Sequence, residues 1–140
     1  KPSTLTQYPI AACSRACEII AEKGAQNFVE FICTGNQTVM DSSFSLARNA
    51  GINIAWMANK AASEYTMKGY PWANLSIEYM NDGINKGSHT INEFTSKGIA
   101  FSVFNTDTDA VMDYYISQEA NMKAICTNYP STLLRRMGKR

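Results

Sequence analysis

Three things are missing from this sequence, and each absence removes a class of protein. No apolar run approaches the roughly 20 residues that a transmembrane helix needs. No block of Lys and Arg occurs before the C-terminal tail, and the net charge of +1 argues against a nucleic-acid interface. The chain has no C-x-x-C motif and only 1 His, which argues against a zinc site.

Cysteine is present but scattered. Cys13 and Cys17 lie four residues apart on one face of a predicted helix, whereas Cys33 and Cys126 lie inside predicted apolar strands. Buried free thiols are the usual state of such cysteines, and they favour a reducing compartment. The chain starts at Lys1 without a signal-peptide pattern. We therefore expect that it begins after processing or truncation, and leave its localisation open.

The composition is that of a globular chain, because 45% of its 140 residues are hydrophobic and 18% are charged. Apolar runs rich in Val, Ile and Phe alternate with stretches of helical periodicity. Strands are predicted at Phe28–Thr34, Ile52–Met57, Leu75–Met80, Gly98–Phe104 and Lys123–Thr127. After a loop at Lys1–Thr4, helices are predicted at Ile10–Gly24, Val39–Asn49, Lys60–Lys68, Thr90–Lys97, Thr108–Glu119 and from Ser131, which is the expected cap.

Five strands that alternate with helices predict parallel strands in chain order, since crossovers of this kind are right-handed. Two architectures fit this pattern. One is an open doubly wound sheet that is complete in itself, and the other is part of a (β/α)8 barrel, whose usual length is about 250 residues. The pattern alone favours the open sheet.

The last two predicted strands carry a resemblance to a known family. The chain reads F-S-V-F-N-T-D over Phe101–Asp107 and A-I-C-T-N-Y-P over Ala124–Pro130. These runs resemble the last two strands of glycerophosphodiester phosphodiesterases, which usually read V-x-V-W-T-V-N and I-I-T-D-x-P. Two of the departures stand out: Phe104 stands for the usual Trp and Asn128 for the usual Asp.

The resemblance extends over most of the chain. Lys1-Pro2 matches the end of the family's third strand, which reads E-x-K and is often followed by Pro. The runs at Phe28–Thr34 and Leu75–Tyr79 resemble its fourth and sixth strands. The resemblance therefore implies a single partial domain over residues 1–140, the C-terminal portion of a (β/α)8 TIM barrel with its fourth to eighth strands.

The resemblance also implies a function for the intact protein, which would hydrolyse a glycerophosphodiester to an alcohol and glycerol phosphate. It would use a divalent cation, Mg²⁺ or Ca²⁺, held by carboxylates, and two His as general acid and base. The H-R-G, E-x-D and H-D motifs that supply these groups have no match here. We therefore predict no catalytic residue and no metal ligand in this chain.

Four residues are predicted to contact the substrate. By resemblance, Lys1 faces the phosphate. Trp56, Tyr79 and Phe104 lie near the ends of successive predicted strands, where apolar walls can hold the alcohol. Ordinary core packing explains these three aromatic residues at least as well, and that alternative stays open.

Other polar residues carry weaker signals. His89 precedes a predicted helix, which favours a solvent-facing or capping side chain. Glu78 and Asp82 flank a predicted strand end, but a cation site needs about six oxygen ligands. Asn36-Gln37-Thr38 and Asn74-Leu75-Ser76 match the glycosylation pattern.

A second hypothesis is a non-catalytic α/β domain that binds a ligand or partner, and the two departures and the absent catalytic motifs support it. In the barrel interpretation, the strands at Phe28–Thr34 and Ala124–Thr127 are cut edges. Open edges recruit other chains. We therefore expect these edges to pair with the missing N-terminal half of the barrel or with a second copy.

Overall fold

A computed structural model describes the backbone of residues 4–139 and the side chains of residues 7–139. The described chain forms two compact units, residues 4–57 and residues 58–139. The elements in chain order are α1 (Thr4–Glu22), β1 (Glu30–Cys33), α2 (Gln37–Asn49), β2 (Asn53–Met57), α3 (Ala62–Lys68), β3 (Trp72–Ser76), α4 (Ile91–Thr95), β4 (Ala100–Phe104), α5 (Asp109–Ser117), β5 (Ala124–Ile125) and α6 (Pro130–Arg136), with 3-10 turns at Ile77–Tyr79 and Glu119–Asn121.

The first unit, residues 4–57, packs α1 and α2 against a parallel strand pair. β1 runs beside β2 with Glu30 opposite Asn53 and Cys33 opposite Trp56. α2 begins where the Asn36 side chain accepts the Val39 N–H at 3.0 Å, a normal N-cap. The core of this unit contains Cys17, Ile20, Ala47, Ile52 and Ile54.

The second unit, residues 58–139, holds β3, β4 and β5 in parallel. Trp72 lies opposite Ala100, and Ser102 lies opposite both Asn74 and Ala124. Because side chains alternate along a strand, this ladder has an apolar face and a polar face. The apolar face carries Ala73, Leu75, Phe101 and Val103, and the polar face carries Trp72, Asn74, Ser76 and Ser102, all of them buried.

Helices α3 and α4 cover the apolar face. Phe94 of α4 packs on Phe101 with ring centroids 5.6 Å apart, and Tyr65 of α3 meets Phe94 edge-on at 5.8 Å. All three rings are fully buried. The hydrophobic core of the second unit therefore lies between the sheet and these helices.

The predicted α/β architecture is confirmed at this level, with five parallel strands alternating with helices. Several boundaries were wrong. The strand predicted at Leu75–Met80 is Trp72–Ser76, and the chain then turns into a 3-10 helix at Ile77–Tyr79. Thr4 belongs to α1 rather than to a loop.

The C-terminal tail also differs from its prediction. Helix α6 is capped at Tyr129 with Pro130 in its first turn, so Ser131 is not the cap. Pro suits the first turn because its missing N–H has no partner there in any case. Arg136 bonds both carboxylate oxygens of Asp113, at 2.6 and 2.8 Å, and also pairs with Asp109. These contacts tie α6 to α5.

The four cysteines are free thiols, as predicted, but only Cys17 is fully buried. No helix within residues 4–139 combines the length and the apolar character needed to cross a membrane.

Candidate functional site

The carboxyl ends of β4 and β5 are joined by one carboxylate. Asp107 Oδ1 accepts the Asn128 N–H at 2.8 Å and the Thr127 hydroxyl at 3.0 Å, while Asp107 Oδ2 accepts the Asn128 side-chain amide at 2.7 Å. The backbone N–H of Asn128, aided by both side chains, lowers the pKa of Asp107. At neutral pH the site therefore presents an ionised carboxylate that is already held by three donors.

A second polar pair closes the carboxyl end of β3. Asn59 Oδ1 accepts the Ser76 N–H, and Asn59 Nδ2 donates to Ser76 Oγ, both at 3.0 Å. Because the Asn59 amide bonds both the backbone N–H and the hydroxyl of Ser76, it provides partners for both polar groups at the end of the strand. Asn59 lies just before α3, so this pair also connects the loop after β2 to β3.

Tyr79 lies on the 3-10 turn after β3, where its ring stacks on His89. The ring centroids are 4.4 Å apart and the planes are 20° from parallel. His89 Nδ1 lies 2.8 Å from Glu93 Oε2, and the His89 side chain is 23% exposed. Burial raises the pKa of Tyr79, helped by Glu64 and Glu93. His89 does not cap α4, whose N-cap is Thr90. Its ring is partly exposed to solvent and is held on one face by Tyr79 and at one nitrogen by Glu93.

The loop between Tyr79 and His89 is fixed by its backbone. The Asn81 N–H donates to the His89 carbonyl at 2.6 Å, and the Ser88 N–H donates to the Tyr79 carbonyl at 3.2 Å. A Cβ at Gly87 would lie 2.1 Å from the Tyr79 carbonyl carbon, so only glycine fits there. Asp82 begins the loop and accepts the N–H groups of Ile84 and Asn85, both at 3.0 Å.

A hydrogen-bonded row runs along the polar face of the second unit. Trp72 Nε1 donates to Ser102 Oγ at 2.9 Å, and Ser102 Oγ donates to Asn74 Oδ1 at 2.9 Å. The Cys126 thiol lies 3.9 Å from the same Asn74 oxygen, and Asn74 Nδ2 is buried without a protein partner. Sequence reasoning missed this row, although Ser102 inside an apolar run was a usable signal.

The four predicted substrate contacts have different surroundings. Lys1 lies outside the described residues. Trp56 is buried in β2 at 6% exposure, in the first unit. Phe104 is half-buried as the last residue of β4, and Tyr79 belongs to the stacked pair with His89. The proposed contact of these residues with a substrate stays a prediction.

The divalent cation has no ligand set in the described part of the chain. Across residues 4–139, no three or more His, Cys, Asp or Glu side chains are grouped to hold a metal ion. Asp82, whose carboxylate is a weak candidate ligand, also accepts the Tyr115 hydroxyl. Comparison of this chain with protein-family models, curated proteins and solved structures finds no match.

Proposed function

We propose that this chain is the C-terminal part of a glycerophosphodiester phosphodiesterase-like barrel, contributing its fourth to eighth strands. The intact protein then hydrolyses a glycerophosphodiester to an alcohol and glycerol phosphate. Five parallel strands that alternate with helices in chain order support this proposal, but an open sheet would share them. A more specific observation is therefore needed.

That observation is the Asp107–Asn128 pair. In the motifs quoted above, the family has Asn at the position of Asp107 and Asp at the position of Asn128. This chain carries the same two residue types exchanged, and they bond each other through Oδ2 and Nδ2 at 2.7 Å. Because one carboxylate and one amide are kept across the two strand ends, the departure at Asn128 is compensated at Asp107. This supports the resemblance rather than weakening it.

In this proposal, the residues of this chain bind and orient the substrate. Phe104 lies at the carboxyl end of β4, where parallel α/β folds bind their ligands, and it provides an apolar wall for the alcohol. Trp56, Tyr79 and Lys1 keep the roles predicted for them. A divalent cation would neutralise the phosphodiester, but the described residues supply no ligands for it. Its ligands and the catalytic His pair are assigned to the first three strands of the intact barrel.

The same proposal predicts what pairs with the two outer edges of the sheet. Among the described strands, β1 pairs only with β2 and β5 only with β4. Their outer edges would pair with the N-terminal strands of the barrel or with a second copy.

The test is an assay of the protein together with the sequence encoded upstream of Lys1. Release of glycerol 3-phosphate from glycerophosphocholine is measured with Mg²⁺ or Ca²⁺ and after chelation by EDTA. We expect metal-dependent turnover, with a raised KM in Phe104→Ala. The chain of residues 1–140 alone should release none, and His89→Ala should not abolish the turnover of the longer protein.

Two results would contradict the proposal. One is an upstream sequence without the H-R-G and E-x-D motifs. The other is a longer protein that binds glycerophosphocholine without hydrolysing it, which would favour the non-catalytic binding domain.

A further inference from the structure

Three of the four cysteines lie in the first unit, and two of them share a cavity. Cys13 is on α1 and Cys33 is the last residue of β1. Both line a cavity of about 230 Å³ whose other walls are apolar: Ala12, Ala16, Phe31, Ile32 and Ile54. Both side chains are half-buried rather than sealed, so a small ion from solution can reach the two sulfurs.

A buried hydroxyl also lies beside these thiols. The Cys13 thiol points to the Ser43 carbonyl oxygen at 4.0 Å. Ser43 itself is 1% exposed, and its Oγ makes no hydrogen bond of ordinary length. Its side chain also lies near the Cys33 thiol. A buried hydroxyl without a partner costs free energy, and an anionic sulfur beside it would provide the acceptor.

The two cysteines share their surroundings. Both pack against the apolar core of the first unit, which contains Ile54, and Ser43 of α2 lies near both. A cation that enters the cavity therefore meets two sulfurs and otherwise apolar walls.

We propose that Cys13 and Cys33 bind one soft monovalent cation, copper(I), as a two-coordinate dithiolate. Thiolate ligands select soft ions such as copper(I). A structural zinc site takes four ligands, whereas within residues 4–139 no three ligating side chains are grouped to hold an ion. Binding forms two copper–sulfur bonds and releases two protons to solvent, and no atom changes oxidation state. The product carries one negative charge, which the Ser43 hydroxyl can donate to.

Cys17 has a different role. Its thiol is 6% exposed and contacts Cys13 from the next turn of α1. It does not line the cavity that Cys13 and Cys33 share. Cys17 is therefore a positioning residue, and its replacement should weaken copper binding less than replacement of either ligand.

The test is an anaerobic titration of the reduced chain with copper(I) against the chromophoric chelator bathocuproine disulfonate. The wild type should retain one equivalent of copper. Cys13→Ser and Cys33→Ser should each lower the affinity at least tenfold. Cys126→Ser is the matched control, because Cys126 lies in the second unit beside Asn74, and it should leave the affinity unchanged.

A measurement on the wild type covers the case in which a serine variant fails to fold. Copper(I) should protect Cys13 and Cys33, but not Cys126, from alkylation by iodoacetamide, as read by peptide mass spectrometry. Equal alkylation of Cys13 and Cys33 with and without copper would overturn the proposal. So would a wild type that retains no more copper than the Cys13→Ser/Cys33→Ser double variant.

Discussion

The two faces of the β3–β4 ladder are equally buried but are stabilised in different ways. The apolar face packs Phe101 against Phe94, an interaction that depends on area and shape. The polar face joins Trp72, Ser102 and Asn74 by hydrogen bonds of 2.9 Å, which depend on direction. Parallel strands covered on both sides are usually apolar on both. The polar row therefore marks the face on which we expect function to constrain the sequence.

The largest loss of stability is expected for a substitution on the apolar face. Phe101→Ala removes a fully buried ring and should lower the free energy of unfolding by about 3–5 kcal/mol. Phe101→Leu keeps most of the volume and should cost about 1 kcal/mol. Urea unfolding followed by circular dichroism measures both variants. Equal losses for Ala and Leu would mean that the face depends on the ring itself rather than on buried volume.

A backbone contact near the end of β3 depends neither on buried apolar area nor on a side-chain hydrogen bond. A substitution there should still cost nearly as much stability. Gly87→Ala places a Cβ 2.1 Å from the Tyr79 carbonyl carbon, so the loop must move at a cost of about 3 kcal/mol. The stacking of Tyr79 on His89 should be lost, which ring-current shifts of His89 in NMR spectra report. Ser88→Ala, at an exposed neighbouring position, is the control and should leave those shifts in place.

On the polar face, the loss of stability should depend on how many buried polar groups a substitution leaves without a hydrogen-bond partner. Ser102→Ala leaves Trp72 Nε1–H buried without its acceptor and should cost about 1–3 kcal/mol. Adding Trp72→Phe removes the orphaned donor, so the double variant should lose less than the sum of the two single variants. The measurement is a double-mutant cycle in urea. Strict additivity would show that the hydrogen bond does not couple the two residues.

The smallest effect is expected at the exposed strand ends, where the carboxylate and the amide of the Asp107–Asn128 pair can be exchanged. Asn128→Asp sets a second carboxylate against Asp107 and should lower the urea midpoint at pH 7. Adding Asp107→Asn exchanges the two residue types and should restore the midpoint. A double variant that is no more stable than Asn128→Asp would contradict the compensation on which the proposed function depends.

The pH dependence of the same pair has a definite sign. The folded pKa of Asp107 is lowered from its ordinary value of 3.8, so its contribution to stability is present above that value. The contribution is lost as the pH falls through the folded pKa. The difference in urea midpoint between the wild type and Asp107→Asn should therefore be largest at neutral pH and shrink in acid.

The sequence predicted most of the framework because apolar periodicity and glycine breaks are local signals. Strands β2 and β4 were placed within one or two residues by their Ile, Val and Phe content. β3 was placed three residues late, because Trp72, Ala73 and Asn74 lack the β-branched pattern, and Ile77–Tyr79 was mistaken for strand.

The site was less predictable, because its contacts join residues that are far apart in the chain. Asp107 and Asn128 are 21 residues apart, and Trp72 and Ser102 are 30 apart. Nothing local in the sequence specifies either pairing. His89 and Glu93, by contrast, are four residues apart, and that spacing at the start of a helix was available as a signal.

The burial of Asn74 limits when this residue can be glycosylated. Asn74-Leu75-Ser76 matches the acceptor pattern for N-linked sugar, yet Asn74 is 1% exposed in the middle of β3. A transferase can reach this amide only on an unfolded chain, and a sugar attached there would keep β3 from entering the sheet. In a host that glycosylates proteins, a sugar on Asn74 would therefore mark those chains that were modified before they folded.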